Sequence, residues 1–483
     1  MIKIRRIAKP ASRLARLRQS RRSSALDGDG AHSRLVRGGL VMLGILAGVY
    51  CAWPIWRAGF PLEIDVNEAW NAYHADAASG SRRLYPDADA LITNNYPPLS
   101  FYWVALVSKL GLDALYVGRA LSILAVAAIS ASAAVCIRGL GASRISAVVG
   151  GLWFLATTAR FFDGYVGMND PHLPATGLMI AALAWFLARH RRERSVEPAV
   201  LLMVIAGFYK HSLVATPAAA LLWLTSIHWR LGLRATLVGI GAAGFGLALC
   251  VFAFGPSFAD QLLSPRYYSV VRSLHLLGRL QWIAPALLLS LIWSWRASGT
   301  ESNRFVRIYI GVAFAAFFLQ SGGDGVDDNA QFELAVATAL GLGLAFDTAS
   351  QIFGLDESKV DRARAAILAA LIARLLLSTR LEPYLVLASP EYRNLFPANA
   401  EIAKQETQRI RAIPGTVYCT TSIVCRFAGK PFVLDRFAME QRVKIGRMTQ
   451  SELDARLRYA GIRIEAVDSR ASATSLLRRY RGR

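Results

Sequence analysis

Long apolar stretches separated by short polar loops dominate the first 380 positions of the chain. A bilayer core of about 30 Å is crossed by roughly 20 helical residues. On that measure the stretches 38–56, 115–137, 145–161, 172–189, 197–208, 212–228, 234–254, 279–295, 305–320, 331–347 and 363–378 read as eleven membrane-spanning helices. The run 98–111 is too short to span and opens on Pro97 and Pro98. It reads as a helix in the membrane interface, with Tyr96, Phe101, Tyr102 and Trp103 as an aromatic belt. Asp65 to Ala78 has the pattern of an amphipathic helix, Trp70 and Tyr73 alternating with polar positions. The segment 57–114 is then one long external loop, and its Trp, Tyr and Phe anchors argue for a functional loop over a disordered one.

Beyond Ser378 charged residues become frequent. Helices over 401–412 and 451–460 alternate with short strands at 416–419, 432–434 and 462–467, which predicts a small α/β domain over 379–483. The expected fold is therefore an α-helical polytopic membrane protein over 38–378, with a basic arm over 1–37 before it and the α/β domain behind it.

A net charge of +22 suggests nucleic acid, but no basic face interleaved with aromatics accompanies it. The basic residues sit in alternate loops: Arg138 and Arg144, the run Arg189 to Arg194, Arg230 and Arg234, Arg296, Arg304 and Arg307, then Lys359, Arg362 and Arg364. Loops around Asp163–Asp170 and Ser321–Ala330 contain neither Lys nor Arg. That asymmetry orients the chain with its N-terminus in the cytoplasm. Asp65, Glu68, Asp163, Asp170, Lys210, Asp324 and the C-terminal domain then share the opposite, periplasmic side of an inner membrane. The apolar segment 38–56 lacks a small-residue cleavage site and reads as an anchor.

Candidate chemistry collects on that outer side. Asp65 and Glu68 are spaced i, i+3 and so share a helix face. They are solvated or capping charges, or they are functional carboxylates held at the membrane edge. Asp170 precedes Pro171 at a helix start, which suits a cap as well as a substrate contact. Lys210, flanked by apolar residues, either snorkels to headgroups or meets a lipid phosphate at that depth; Arg119 and Arg160 are weaker cations of the same kind. His74, His172 and His211 lie on the same side, but Asp170-x-His172 is not a metal signature, so no cofactor is expected and a divalent metal is the minor alternative. The Asp324-Gly-Val-Asp327-Asp328 run lacks the glutamate of a calcium loop. Cys51, Cys136 and Cys250 sit in apolar segments, whereas Cys419 and Cys425 are either a disulfide closing a small loop or two buried thiols.

Asp65-x-x-Glu68-x-x-x-x-Tyr73, followed by Leu84-Tyr85-Pro86-Asp87 and Asn94-Asn95-Tyr96-Pro97-Pro98-Leu99, resembles the first external loop of GT-C glycosyltransferases. The similarity is to the bacterial branch related to protein mannosyltransferases and lipid A aminoarabinose transferases. Asn169-Asp170-Pro171, Tyr209-Lys210-His211-Ser212, the stretch from Gly322 to Glu333 and Arg426-Phe427-Ala428-Gly429-Lys430-Pro431 resemble later segments of such enzymes. The resemblance implies transfer of a sugar from a polyprenyl phosphate to a lipid, glycan or protein acceptor on the outer face, with inversion. It implies a first-loop carboxylate as general base, Asp65 by its order in the motif. Relatives have adjacent Asp-Glu where this chain inserts Val66-Asn67, so Glu68 stays a candidate. Donor contacts are expected from Asp170, Lys210, His211, Tyr96, Arg119 and Arg160. The competing classes are a lipid-linked-glycan transporter or flippase, for which broken mid-membrane helices and a repeat between halves would be expected, and a non-catalytic ligase-like scaffold.

Overall fold

The protein is described by a computed structural model covering residues 31–473 except 88, 298, 355, 356 and 379. The basic arm up to residue 30 and the basic run 478–483 lie outside the described residues.

Helices occupy the positions that the apolar pattern marks. Among the described residues six, against the eleven expected, are long and apolar enough by themselves to cross a bilayer: Arg34–Ala58, Ala114–Gly139, His172–Arg191, Trp229–Phe254, Glu301–Ser321 and Asp328–Asp347. Glu197–Tyr209 and Ala215–Ile227 are shorter apolar helices, as is Leu99–Ser108 in the first loop. The stretch expected as one span over 279–295 is instead part of a broken pair, Val270–Trp282 and Ala284–Arg296, bent by 89°. Pro285 in the first turn of the second helix explains the break, since it has no N–H to carry a continuous ladder across the junction. The broken pair is a feature that the sequence pattern did not show.

At the centre of the body lies the Phe332–Asp347 helix, buried over nearly its whole surface. Its composition allows this: a Cβ on Gly341 would meet Ser290 Oγ at 2.5 Å, and one on Gly343 would meet Ile137 at 2.7 Å. Glycine at those two positions lets neighbouring helices pack at van der Waals contact, as interiors of this density require.

The segment 57–114 folds over one end of this bundle. Asp65 caps the Val66–Asp76 helix by accepting from Asn67 N–H at 2.9 Å, and Gly80 at φ 98° ends the irregular turn that follows. The Leu99–Ser108 helix buries Phe101 and Val104 and leaves Tyr102, Trp103 and Leu106 exposed, the two-faced arrangement expected of an interfacial helix.

The C-terminal segment packs onto the first loop. Two strands, β1 (Val417–Cys419) and β2 (Arg463–Glu465), pair in parallel in the register Val417↔Arg463. The Pro390–Ala412 helix begins eleven residues ahead of the expected start at 401, and Gln450–Tyr459 carries a Thr449–Glu452 capping box. The third expected strand, 432–434, does not form. Its backbone turns to the first loop instead: Phe432 C=O accepts from Arg82 Nη1 at 2.9 Å and Asp435 N–H donates to Leu91 C=O at 2.8 Å. Cys419 and Cys425 are joined by a disulfide across the start of this region.

Cys51, Cys136 and Cys250 are free and lie in apolar helices. A membrane-impermeant maleimide added to intact cells is therefore expected to label the protein only after a reductant opens Cys419–Cys425. Labelling confined to permeabilised cells would put the tail on the cytoplasmic side.

Candidate active site

The local fold is built around Glu68, which is fully buried in the first turn of the Val66–Asp76 helix. Arg119, equally buried one turn into the Ala114–Gly139 helix, grips it bidentately, Nε to Oε1 at 2.7 Å and Nη2 to Oε2 at 2.6 Å. The remaining Arg119 donors reach the carbonyls of Ala58 (3.2 Å), Phe60 (2.6 Å) and Leu62 (2.7 Å), stapling the chain that leads into the helix. Glu68 also accepts from Ile64 N–H at 2.8 Å and from Asn169 N–H at 2.9 Å. Asn169 in turn donates to Glu68 C=O at 3.1 Å and accepts from Asn71 Nδ2 at 3.0 Å. Room for Asn169 comes from Gly118, where a Cβ would sit 1.7 Å from Asn169 Oδ1. One carboxylate thus sets Asp65, three residues before it, against Asp170, one residue after Asn169.

Asp65 and Asp170 both line a cavity of about 770 Å³. Asp65 caps its helix with Oδ1 (2.9 Å to Asn67 N), and Oδ2 has no hydrogen-bond partner among the described residues. Burial raises its carboxyl above the ordinary carboxylate range, against the lowering effect of the Asn67 N–H. Asp170 accepts from His172 N–H at 2.8 Å, so it is the cap the sequence allowed as well as a cavity residue. Burial raises its pKa too, and Lys210 opposes the shift.

Lys210 sits behind Tyr96, its Nζ 3.0 Å from the ring centroid. Burial pushes this ammonium down to about 7, with Asp170 pulling the other way. Tyr96 lines the cavity, and His211 packs at 6.4 Å from its ring from the far side. Of the expected site residues, the structure therefore gathers Asp65, Asp170 and Tyr96 at the cavity, with Lys210 and His211 next to Tyr96. Glu68 and Arg119 lie behind the wall as a closed pair. Arg160 is elsewhere: it donates to Arg380 C=O at 2.6 Å with its guanidinium 4.8 Å from the centre of the Tyr50 ring, so it docks the chain after the Glu357–Leu376 helix.

Several cavity residues were not singled out by the sequence. Arg266, Arg272 and Arg279 enter from the segment between Phe254 and the broken pair's second helix. The signal was partly present: with the predicted orientation Arg266 and Arg272 fall in an outer segment, whereas the outer loops around Asp163–Asp170 and Ser321–Ala330 carry no arginine. Arg279 is paired with Asp327 and Asp328, and Arg272 donates to Val326 C=O. Arg266 differs. Among the described residues no carboxylate pairs with it; its guanidinium stands 5.5 Å from the Phe437 ring centroid, and Asn95, with its amide oxygen turned inward, accepts from Nε at 3.3 Å. Asp435, from the C-terminal segment, accepts from Trp70 Nε1 at 3.0 Å and from Ala438 N–H at 2.9 Å. No local pattern marks that contact, which spans 365 residues.

Asp65, Asp170, Asp435 and Arg266 thus give one water-accessible space both a poorly partnered carboxylate and a cation able to hold an anion, with Lys210 buried behind the Tyr96 wall.

The fold has solved counterparts. ArnT from Cupriavidus metallidurans bound to undecaprenyl phosphate matches with a TM-score of 0.56 at 14% identity, over 87% of this chain and 91% of that one. The same protein in the apo state matches with a TM-score of 0.58 at 12% identity, over 87% and 90%. The Archaeoglobus fulgidus oligosaccharyltransferase in the apo form matches with a TM-score of 0.50 at 11% identity, over 88% of this chain and 69% of that one. Both proteins are GT-C glycosyltransferases, and this chain shares their fold. No protein-family model and no curated protein matches the sequence.

Removing Arg119 leaves a buried, unpaired carboxylate, a change that typically costs about 3–5 kcal/mol. Arg119→Ala is therefore expected to lower the thermal unfolding midpoint of the detergent-purified protein sharply, and Glu68→Gln in the same background should recover part of it. An unchanged midpoint in Arg119→Ala would disprove the clamp.

Proposed function

We propose that this protein is a membrane glycosyltransferase that moves a sugar from a polyprenyl-phosphate carrier to an acceptor hydroxyl on the non-cytoplasmic face. The observation that carries the reading is Asp65 facing the same cavity as Arg266, which no carboxylate among the described residues pairs with. A base and an anion-binding cation across one water-accessible space suit an attack on a phosphate-linked anomeric carbon. The undecaprenyl phosphate bound to the ArnT of matching fold supports that class of carrier.

In this reading Asp65 Oδ2 takes the acceptor's proton as the hydroxyl oxygen attacks the anomeric carbon. The bond from that carbon to the phosphate oxygen breaks, and the lipid phosphate leaves with the electron pair. Arg266 and Lys210 offset its charge, and a single displacement inverts the anomeric centre. Raising the Asp65 pKa by burial brings the base closer to working pH. Asp170 aligns the sugar and shares Lys210, and Tyr96 supplies a flat wall. Glu68 and Arg119 position Asp65 and do not touch substrate. The membrane arrangement we propose has eleven crossings, a cytoplasmic N-terminus and a periplasmic C-terminal domain.

The 89° break at Ile283 favours a second reading, since broken helices are a transporter's signature. Here, however, Arg279 at the break pairs with Asp327 and Asp328 and lines the cavity, so the break belongs to the cavity wall, not to a mid-membrane ion site.

Asp65→Asn keeps the side-chain shape and the cap but cannot accept the proton. It is expected to lower turnover of a polyprenyl-phosphate sugar by about a hundredfold to ten-thousandfold while leaving donor binding within a few-fold. A transporter or scaffold would keep its flux or assembly activity in this variant.

The pH profile follows from the same two groups. Asp65 acts deprotonated, so kcat/KM is expected to fall on the acid side, at a pH above the ordinary carboxylate range. Lys210 acts protonated, so kcat/KM should fall again as pH rises through about 7. Lys210→Arg should move only the alkaline limb. A profile flat across both limbs would count against these roles.

A further inference from the structure

The Val66–Asp76 helix is held near its start by the Glu68–Arg119 clamp and by Asn71 donating to Asn169 C=O, but among the described residues its last turn has no hydrogen-bond or ion-pair partner in the membrane body. The packing of Ala72 and Ala75 against Val104, Ala114 and Val117 is apolar and permits sliding. The directional contact at that end comes from the C-terminal segment. Arg426 donates to Asp76 through Nε at 2.7 Å and Nη2 at 3.0 Å, and to both oxygens of Asp113 through Nη1 at 2.9 Å. Asp76 is the last residue of the helix that Asp65 caps. Asp113 caps the Ala114–Gly139 helix that carries Arg119, accepting from Leu115 N–H at 2.8 Å. Arg426 therefore joins the same two helices a second time, from outside, with a side chain only 10% exposed.

We propose that Arg426 is a positioning residue for Asp65, making the C-terminal segment a working part of the active site. This rests on the reading of Asp65 as the base. The geometry is that of a lever. Along the helix Asp76 lies about 12 Å from the Glu68 pivot and Asp65 about 4.5 Å on the other side, at about 1.5 Å per residue. A swing of about 3 Å at the Asp76 end thus moves the Asp65 end by about 1 Å, and a misplacement of that size can cost about a hundredfold in rate. Without Arg426 the swing is driven as well as permitted, because Asp76 and Asp113 would face each other as like charges. The tail contacts at mid-helix act in the same direction: Tyr73 donates to Lys430 C=O at 3.0 Å and stacks on Phe432 at 4.9 Å.

The test uses the full-length protein in lipid nanodiscs, with two readouts: sugar transfer, and amide hydrogen exchange of residues 66–76. In Arg426→Ala, kcat is expected to fall roughly tenfold to a hundredfold with donor KM within about twofold, because Lys210 and Arg266 are untouched. Exchange over 66–76 should speed up while 114–139 stays protected. Arg426→Lys, which keeps the charge but cannot span both carboxylates, should fall between. Adding Asp76→Asn and Asp113→Asn to Arg426→Ala removes the repulsion without restoring the bolt, so kcat should stay low; full recovery would overturn the proposal. Unchanged exchange over 66–76 in Arg426→Ala would overturn it too, as would loss of protection throughout the tail with no selective effect on that helix. If the wild-type protein transfers no sugar, the reading of Asp65 as the base fails, and the exchange result still decides whether Arg426 holds the helix.

Discussion

A carboxylate and a guanidinium with almost no exposed surface hold the cavity end of this molecule in place. Alone, either charge at that depth would cost several kcal/mol. Glu68 and Arg119 offset that cost only by satisfying each other completely: two paired bonds between them, two backbone amides on the acid and three backbone carbonyls on the base. Because those backbone groups belong to residues 58–64 and to Asn169, the pair fixes where the first loop leaves the membrane and where the Asn169–Asp170 turn sits. The cavity's two principal carboxylates inherit their relative position from it.

The cavity itself is assembled from five segments far apart in the chain: the first loop, the turn before His172, the segment around Arg266, the late loop around Asp324 and the tail around Asp435. Each is tied to another by polar contacts. Gln441 shows the economy of this: its amide accepts from Tyr267 N–H at 3.0 Å and donates to Asp324 at 2.8 Å, joining three of the five. Lys444 adds an ion pair to the same Asp324 at 2.7 Å. Arg279 is paired with two carboxylates of the wall and Arg272 donates to a wall carbonyl, whereas Arg266 meets only Asn95 and the Phe437 ring among the described residues. The C-terminal segment is thus a wall of the cavity and a brace for the helix beneath it.

Much of this architecture was legible in the chain. Apolar periodicity placed the helices, with starts off by up to seven residues and the break at Ile283 missed, because a segment solvated by lipid must satisfy its own backbone and shows that need locally. The cap at Asp65 was legible for the same reason, since it bonds to an amide two residues away, whereas the caps at Asp113 and Thr449 were not singled out. Of the eight residues the sequence put forward, the structure places Asp65, Asp170 and Tyr96 at one cavity with Lys210 and His211 beside Tyr96, and puts Glu68, Arg119 and Arg160 elsewhere. The i, i+3 spacing of Asp65 and Glu68 was read as a shared face, yet one carboxylate opens to the cavity and the other is sealed behind it. Helical spacing says which residues are neighbours but not which partner claims them, and Arg119 lies 51 residues from Glu68. The strand expected over 432–434 failed likewise, because Phe432 C=O is taken by the Arg82 side chain and the adjoining Asp435 N–H by Leu91 C=O. The tertiary structure alone decided that Arg160 braces a distant turn, that Arg266 is left without a carboxylate, and that Asp435 and Arg426 reach back across more than 300 residues to the first loop. Those outcomes depend on which buried charge meets which, and long-range pairing leaves no period in a sequence.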